Sequence, residues 1–298
     1  MIARGRSAPL AVAALTLIAL VWGYNWVVMK RAGQAVDEFD FLAWRFILAA
    51  GCLFAVLRLR GRPIAIGHHT QVAAIGLLLS GMTFALMMFA LKAGAAGKVA
   101  VLSFSMPFFV VLMAWPVLGE RPRGLQWLAI GIALAGFTLL TNLEARLRLP
   151  DLLALASGFT WAAANVISKR LQSRDSIDPL ALNAWQLLAG GIALAALSMP
   201  FSTRPWAWTP YVVFAVAFNV VIVSALSWFA WFWVLQRLDS GVASLGTLAV
   251  PAVAVVSGVI ELGERPSALE WGGIALVVVA LGVTARAAGA TATARDPA

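Results

Sequence analysis

The chain has 298 residues, 62% of them apolar and only 12% charged, where a soluble globular domain carries roughly 45–50% and about 25%. That balance excludes a soluble fold. At about 20 apolar residues per crossing, the length accommodates at most about ten to twelve helical spans and no large aqueous domain. The formal charge of +9 is scattered between apolar runs, which argues against nucleic acid as a partner and for a role in membrane topology. The single Cys52 rules out an internal disulfide and cysteine-built metal sites, and His68-His69 offers little metal chemistry alone, so no cofactor and no metal are expected.

Ten apolar runs follow one another, with breaks at Gly, Pro and charged clusters. In chain order they are Pro9 to Met29, Phe41 to Leu57, Gln71 to Leu91, Val99 to Leu118 and Gly124 to Thr141, then Leu152 to Ile167, Leu180 to Met199, Pro210 to Leu235, Val242 to Ile260 and Leu269 to Ala285. The runs are continuous and rich in Ala and Leu, whereas a membrane barrel alternates apolar and polar residues in segments of about ten. Helices satisfy the backbone in lipid, so an all-α integral membrane fold is predicted. Arg4 and Arg6 imitate the start of a signal peptide. The first run is too long for one and ends at Met29-Lys30-Arg31 without a small-residue cleavage site, so it reads as an uncleaved span. Lys and Arg are denser in the loops on the side of the N-terminus, among them Arg58, Arg60, Arg62, Lys169, Arg170 and Arg174, which predicts both termini in the cytoplasm.

The chain repeats itself. Gly119-Glu120-Arg121-Pro122 recurs 144 positions later as Gly263-Glu264-Arg265-Pro266, and at that offset Pro107 meets Pro251, Gly97 meets Gly241 and Trp127 meets Trp271. Trp22 and Lys30-Arg31 match Trp161 and Lys169-Arg170 at offset 139, while Ala43-Trp44-Arg45 matches Ala184-Trp185-Gln186 at offset 141. Each half therefore holds five spans. Because five is odd, the second half enters the membrane from the opposite side, and an inverted repeat lets one site open alternately to either side. The predicted units are 1–144 (spans 1–5), 145–286 (spans 6–10) and a disordered tail over 287–298. Duplication for packing alone is the plainer alternative.

With these residues in hand, Trp22-Gly23, Trp44-Arg45, Pro107, Gly119-Glu120-Arg121-Pro122 and their second-half copies, the chain resembles the drug/metabolite transporter superfamily in its ten-span form with two EamA-type repeats. The resemblance covers nearly the whole chain and, within the superfamily, is strongest to bacterial aromatic amino acid exporters. It implies ten helices around a central cavity lined by spans 1–4 and 6–9, with spans 5 and 10 at the periphery. Ala162 in place of Gly23 and Gln186 in place of Arg45 depart from strict symmetry.

Polar groups inside spans are few, and each is a site hypothesis. Asn25, Asn165, Asn183, Gln186 and Asn219 both donate and accept hydrogen bonds, as a zwitterionic ligand requires; the same amides can simply join helices, for about 0.6 kcal/mol each. Arg45, after Asp37, Glu38 and Asp40, could hold a substrate carboxylate bidentately, or could snorkel or pair with Asp40. Trp127, Trp206, Trp208 and Trp271 sit at span ends and read as an interfacial belt. Trp22, Trp161, Trp185, Trp228 and Trp231 lie inside spans with Phe84, Met87 and Met88 and could line an apolar cavity for large side chains, or could face lipid. Pro107 and Pro251, matched in mid-helix, read as matched hinges or as kinks that shape the bundle.

No span interior carries an acid of the kind proton-driven carriers use, since Glu120, Glu261 and Glu264 sit at span ends. Facilitated diffusion is therefore expected. Hydrolase and phosphate-loop motifs are absent from the sequence, so no enzyme is expected. The sequence reading is a bacterial inner-membrane exporter of amino acids, aromatic or otherwise large and neutral, acting as a monomer or homodimer. Efflux of drugs or other small metabolites, coupled to protons, is the alternative.

Overall fold

The computed structural model describes residues 7–93, 99, 102–122, 124–141, 148–200, 205–263, 265 and 267–294. The repeat markers Gly97, Glu264 and Pro266 lie outside the described residues. All ten expected segments contain helix, and no strand occurs among the described residues.

The first half comprises α1 (Ser7–Ala32), α2 (Glu38–Leu59), α3 (His69–Gly76 continuing through Leu77–Met82 and Thr83–Ala93), α4 (Met106–Leu118) and α5 (Leu125–Thr141). The second half comprises α6 (Leu149–Arg174), α7 (Pro179–Ser198), α8 (Pro210–Ala217, Phe218–Ser227 and Trp228–Leu235), α9 (Ser240–Gly246 and Ala249–Leu262) and α10 (Ala268–Ala294). By length and composition alone, α1, α2, α3, α7, α8 and α9 can cross a bilayer, while α4, α5 and α10 have shorter apolar stretches. Helix α6 is long enough but carries the buried polar residues Ser157, Thr160, Asn165 and Ser168, so that its centre-facing side is polar in part.

Local sequence explains where the helices begin and stop. Asp37 accepts the Phe39 N–H (3.1 Å) ahead of α2, and Asp178 accepts that of Leu180 (2.9 Å) ahead of α7, each satisfying an otherwise unpaired first-turn donor. Thr209 does the same for Val212 in α8, with Pro210 at the first helical position. The repeated Gly-Glu-Arg-Pro motif is a stop signal: Gly119 and Gly263 adopt φ of 71° and 66°, a left-handed cap that glycine tolerates best.

Pairwise packing reproduces the repeat. Helix α1 packs on α9 as α6 packs on α4, α2 packs on α7, and α5 packs on α10. The last two pairs join equivalent helices, so the pseudo-two-fold axis relating the inverted halves runs between them. Helices α5 and α10 form the expected peripheral pair; their backbones approach so closely that a Cβ on Gly136 would lie 2.9 Å from the Gly273 carbonyl oxygen.

The halves also match in their irregularities. Helices α3 and α8 both contain a π-helical segment, Leu77–Met82 and Phe218–Ser227, a geometry concentrated at functional sites. A two-residue turn stands directly before α4, at Phe104-Ser105, and another divides α9, at Thr247-Leu248. This corrects the expectation for the prolines. Pro107 and Pro251 do not bend a continuous helix; they follow these turns, in the first turn of the helical segment that comes next, where a missing N–H costs little. The tail expectation is corrected too, because α10 continues past Ala287 to Ala294.

Two ends of the bundle can be told apart by loop contacts. At the end holding the start of α1, Arg62 pairs with Asp178 (3.0 Å) and Lys169 with Glu120 (3.8 Å). At the other, Arg31 pairs with Glu261 (3.2 Å) and the Ala207 N–H donates to the Ala35 carbonyl (3.0 Å).

Candidate functional site

The centre of the bundle is an aromatic box. Trp22 of α1 touches its own repeat equivalent, Trp161 of α6, with ring centroids 5.8 Å apart, and also touches Trp228 (4.8 Å) and Trp231 (5.9 Å) of α8. Trp161 lies 6.1 Å from Trp228, and Phe104 closes on it at 5.4 Å from the turn before α4. All four indoles are buried. Their tilted packing, beyond the area it buries, is worth about 0.5–1.5 kcal/mol per pair.

Polar atoms border this box. Asn165 accepts the Trp231 indole N–H (3.0 Å) and its own amide reaches the Met106 sulfur (3.5 Å), so it joins helices. By contrast, the Trp161 indole N–H and the Asn25 amide oxygen are buried with no partner among the described residues. One is a donor and one an acceptor, the complement a zwitterion presents. Each unsatisfied group costs about 1–3 kcal/mol unless a ligand supplies the missing bond.

A second polar cluster grips the π segments. In α7, Asn183 donates to the carbonyls of Ser224 (3.3 Å) and Ala225 (3.0 Å) at the end of the π segment of α8, and accepts from Gln186 (2.9 Å). Gln186 in turn accepts from Ser80 (2.8 Å) in the π segment of α3. Its repeat equivalent Arg45 performs the mirrored task, donating to Asn219 (2.8 Å) in the π segment of α8. Each half's second helix thus holds the other half's third.

Arg45 is nevertheless different in kind. It is 3% exposed, which corrects the snorkelling alternative, and it pairs with no carboxylate among the described residues. Its guanidinium rests over Phe46 (4.5 Å) and Phe84 (5.0 Å) and touches the Met29 sulfur (3.7 Å), while its Nε has no partner. A neutral amide does the structural work at Gln186, so the fold does not require the charge. Buried cations are ordinarily paired, because desolvation costs several kcal/mol.

Of the remaining candidates, Met88 is buried in the main apolar core with Trp22 and Trp161. Trp185 lies apart from the box, donating to the Ile64 carbonyl (2.8 Å) and packing on Phe54 (5.1 Å). Four participants lie outside the candidates named from the sequence. Phe104 and Ser80 gave no signal, whereas Lys169 and Glu120 belong to the repeated motifs and were readable there. Lys169 donates to the carbonyls of Leu235 and Leu238 and pairs with Glu120, which accepts the Ser240 N–H (2.7 Å). This latch joins α6, the α4–α5 loop and the α8–α9 loop at one end of the box. Burial raises the Glu120 carboxyl above its ordinary range, against the lowering pull of Lys169 and Ser240. At the other end, Glu261 accepts the Tyr24 hydroxyl (2.6 Å) and the Arg31 guanidinium (3.2 Å).

Comparison with known proteins agrees with this architecture. The EamA-like transporter family model matches residues 9–142 and 148–286, one match per half. The chain is 28% identical to an uncharacterized transporter, YoaV, of Bacillus subtilis, over 83% of this chain and 87% of that protein. It is 25% identical to a probable amino-acid metabolite efflux pump of Escherichia coli (89% and 91% covered), and 26% identical to an uncharacterized inner membrane transporter, YedA, of the same species (90% and 88%). A solved crystal structure superposes with a TM-score of 0.80 at 20% identity, covering 93% of this chain and 98% of that one, which supports the fold.

Proposed function

Starting from the fact that this chain belongs to the EamA-like transporter family and is a multi-pass membrane transporter, we propose that it sits in the inner membrane and exports amino acids, chiefly aromatic and other large neutral ones. One observation carries this reading: a buried guanidinium, Arg45, without a counter-ion among the described residues, lying on Phe46 and Phe84, which pack in the same apolar core as the four indoles. A carboxylate would supply the charge that Arg45 lacks, and Trp22, Trp161 and Trp228 would receive a large side chain once they part. The Asn25 amide oxygen, one helical turn from Met29 on α1, is the acceptor suited to the substrate ammonium.

Transport follows from the inverted repeat. The Lys169–Glu120 latch and the Tyr24–Glu261–Arg31 cluster stand at opposite ends of the box, and exchanging the conformations of the halves opens one end as it closes the other. The turns before Pro107 and Pro251 are the joints at which α4 and α9 change direction. With the Arg-rich end in the cytoplasm, as the positive-inside rule favours, this exchange moves substrate outward down its gradient. The rival reading, proton-coupled efflux of drugs or other metabolites, draws on Glu261, which turns inward to Tyr24.

The test is counterflow of labelled phenylalanine and tryptophan in proteoliposomes, with and without a pH gradient. Exchange that a Trp22→Ala substitution slows and that ignores the gradient supports uncoupled amino acid export. Failure to move any amino acid, with movement of a lipophilic cation instead, would overturn it.

A further inference from the structure

A cleft of about 550 Å³ opens between α3, α4 and α6 at the end of the bundle that carries His68 and Asp175. It is not part of the central box. Along α6, Ala163, Ile167, Arg170 and Arg174 line the cleft, whereas Trp161 and Asn165 face the centre. At 3.6 residues per turn these sets fall on roughly opposite faces of the helix. The cleft is therefore lateral.

Its chemistry is amphipathic and oriented. The deep walls are apolar, from Met113 and Val117 of α4 and Val166 and Ile167 of α6. At the mouth stand Arg170 and Arg174, both exposed and neither meeting a carboxylate among the described residues. Asp175, the acid at this mouth, is engaged by His68 (3.2 Å), so the rim keeps an excess of positive charge. From Ala163 to Arg174 the helix rises roughly 16 Å, about half the roughly 30 Å hydrocarbon thickness of a bilayer. The slot thus spans about one leaflet.

The repeat shows that such a slot is not forced by the fold. On the other side of the pseudo-two-fold axis, Tyr24 stands where Ala163 does and Glu261 where Val117 does, at the offsets of 139 and 144 already described. There larger groups bond to one another: Tyr24 bonds to Glu261, and Arg31, the equivalent of Arg170, pairs with Glu261 and lies 5.2 Å over the Tyr211 ring. Small and aliphatic residues line the α3/α4/α6 cleft where its counterpart carries hydrogen-bonded bulk.

We propose that the α3/α4/α6 cleft binds an anionic phospholipid, with an acyl chain along Met113, Val117 and Ile167 and the phosphate at Arg170 and Arg174. Basic pockets between membrane helices are suited to anionic headgroups, and the apolar depth demands an attached chain rather than a free ion. This site is separate from the substrate path and does not depend on the identity of the transported molecule.

The test uses the full chain purified in detergent and mixed with phosphatidylglycerol, phosphatidylcholine or inorganic phosphate. Native mass spectrometry counts bound lipid, and thermal unfolding reads its effect. Wild type should retain phosphatidylglycerol several-fold better than phosphatidylcholine and gain several degrees in Tm from it alone. The double substitution Arg170→Gln/Arg174→Gln should erase that preference. Filling the slot with Ala163→Phe, or with the milder Ala163→Leu if the first does not fold, should lower occupancy by both lipids while counterflow persists. Equal retention of the two lipids by wild type, a preference that survives loss of both arginines, or unchanged occupancy in the filled variant would overturn the proposal. So would a Tm shift reproduced by inorganic phosphate alone, or loss of counterflow with lipid occupancy intact, which would make the cleft a substrate route.

Discussion

Replacing Arg45 by Met separates the structural from the functional use of that side chain. An arginine in the interior of a membrane helix costs about 2.5–3.5 kcal/mol on insertion scales. Its faces on Phe46 and Phe84 return about 1–2 kcal/mol together. Removing it also strips the Asn219 amide oxygen of its donor, at about 1–3 kcal/mol. The single substitution should therefore be near neutral, within about 1 kcal/mol, and Arg45→Met with Asn219→Leu should stabilise by about 1–2 kcal/mol once the orphaned amide is gone. Thermal unfolding in detergent measures both. Transport should respond in the opposite sense, because a charged hydrogen bond worth about 1.5–3 kcal/mol to a substrate carboxylate corresponds to roughly 10- to 150-fold in kcat/KM. That loss should appear with phenylalanine and not with phenethylamine, which has the ring and the ammonium but no carboxylate. A fall of equal size for both compounds, or a destabilisation beyond about 3 kcal/mol, would refute the reasoning and return Arg45 to a purely structural role.

Other expectations follow from the packing and the latch. Glu120, raised by burial from 4.5 and facing Lys169, Asp239 and the Ser240 N–H, binds protons more tightly folded than unfolded. Stability should thus be fuller at low pH and decline as pH rises through the folded value, and Glu120→Gln should flatten this part of the Tm–pH profile; parallel profiles would contradict it. Gly190→Val should lower stability by about 1–3 kcal/mol, since even a Cβ would lie 2.2 Å from that of Ser80. Gly51→Ala, with nothing within 4 Å, should stabilise α2 by up to about 1 kcal/mol. The pair Pro107→Ala and Pro251→Ala should leave Tm within about 1 kcal/mol of wild type yet slow counterflow several-fold; unchanged transport would count against the joints.

Several features were legible in the sequence because they arise from composition and local geometry. Span number, the odd-numbered repeat and hence the inversion follow from hydropathy and from a motif whose glycine must take positive φ at a helix end. Trp22 and Trp161 were identifiable as a repeated pair inside spans, and they do meet. Trp185 was equally apolar and equally interior by sequence, yet it packs on Phe54 outside the box. Single-helix periodicity assigns a residue to a face, and which neighbour covers that face is a property of the assembled bundle.

What the chain determined by itself is its partition into lipid, its ten helical segments, the doubled unit and the short set of polar residues available for recognition. The tertiary structure decided the roles within that set. It turned Arg45 inward onto Asn219, engaged Asn165 and Gln186 in helix contacts, and left a lateral cleft between α3, α4 and α6. The physical reason is that hydrocarbon constrains each helix alone through its backbone and its average polarity, whereas the partner of a buried polar atom is chosen only when several helices converge on it.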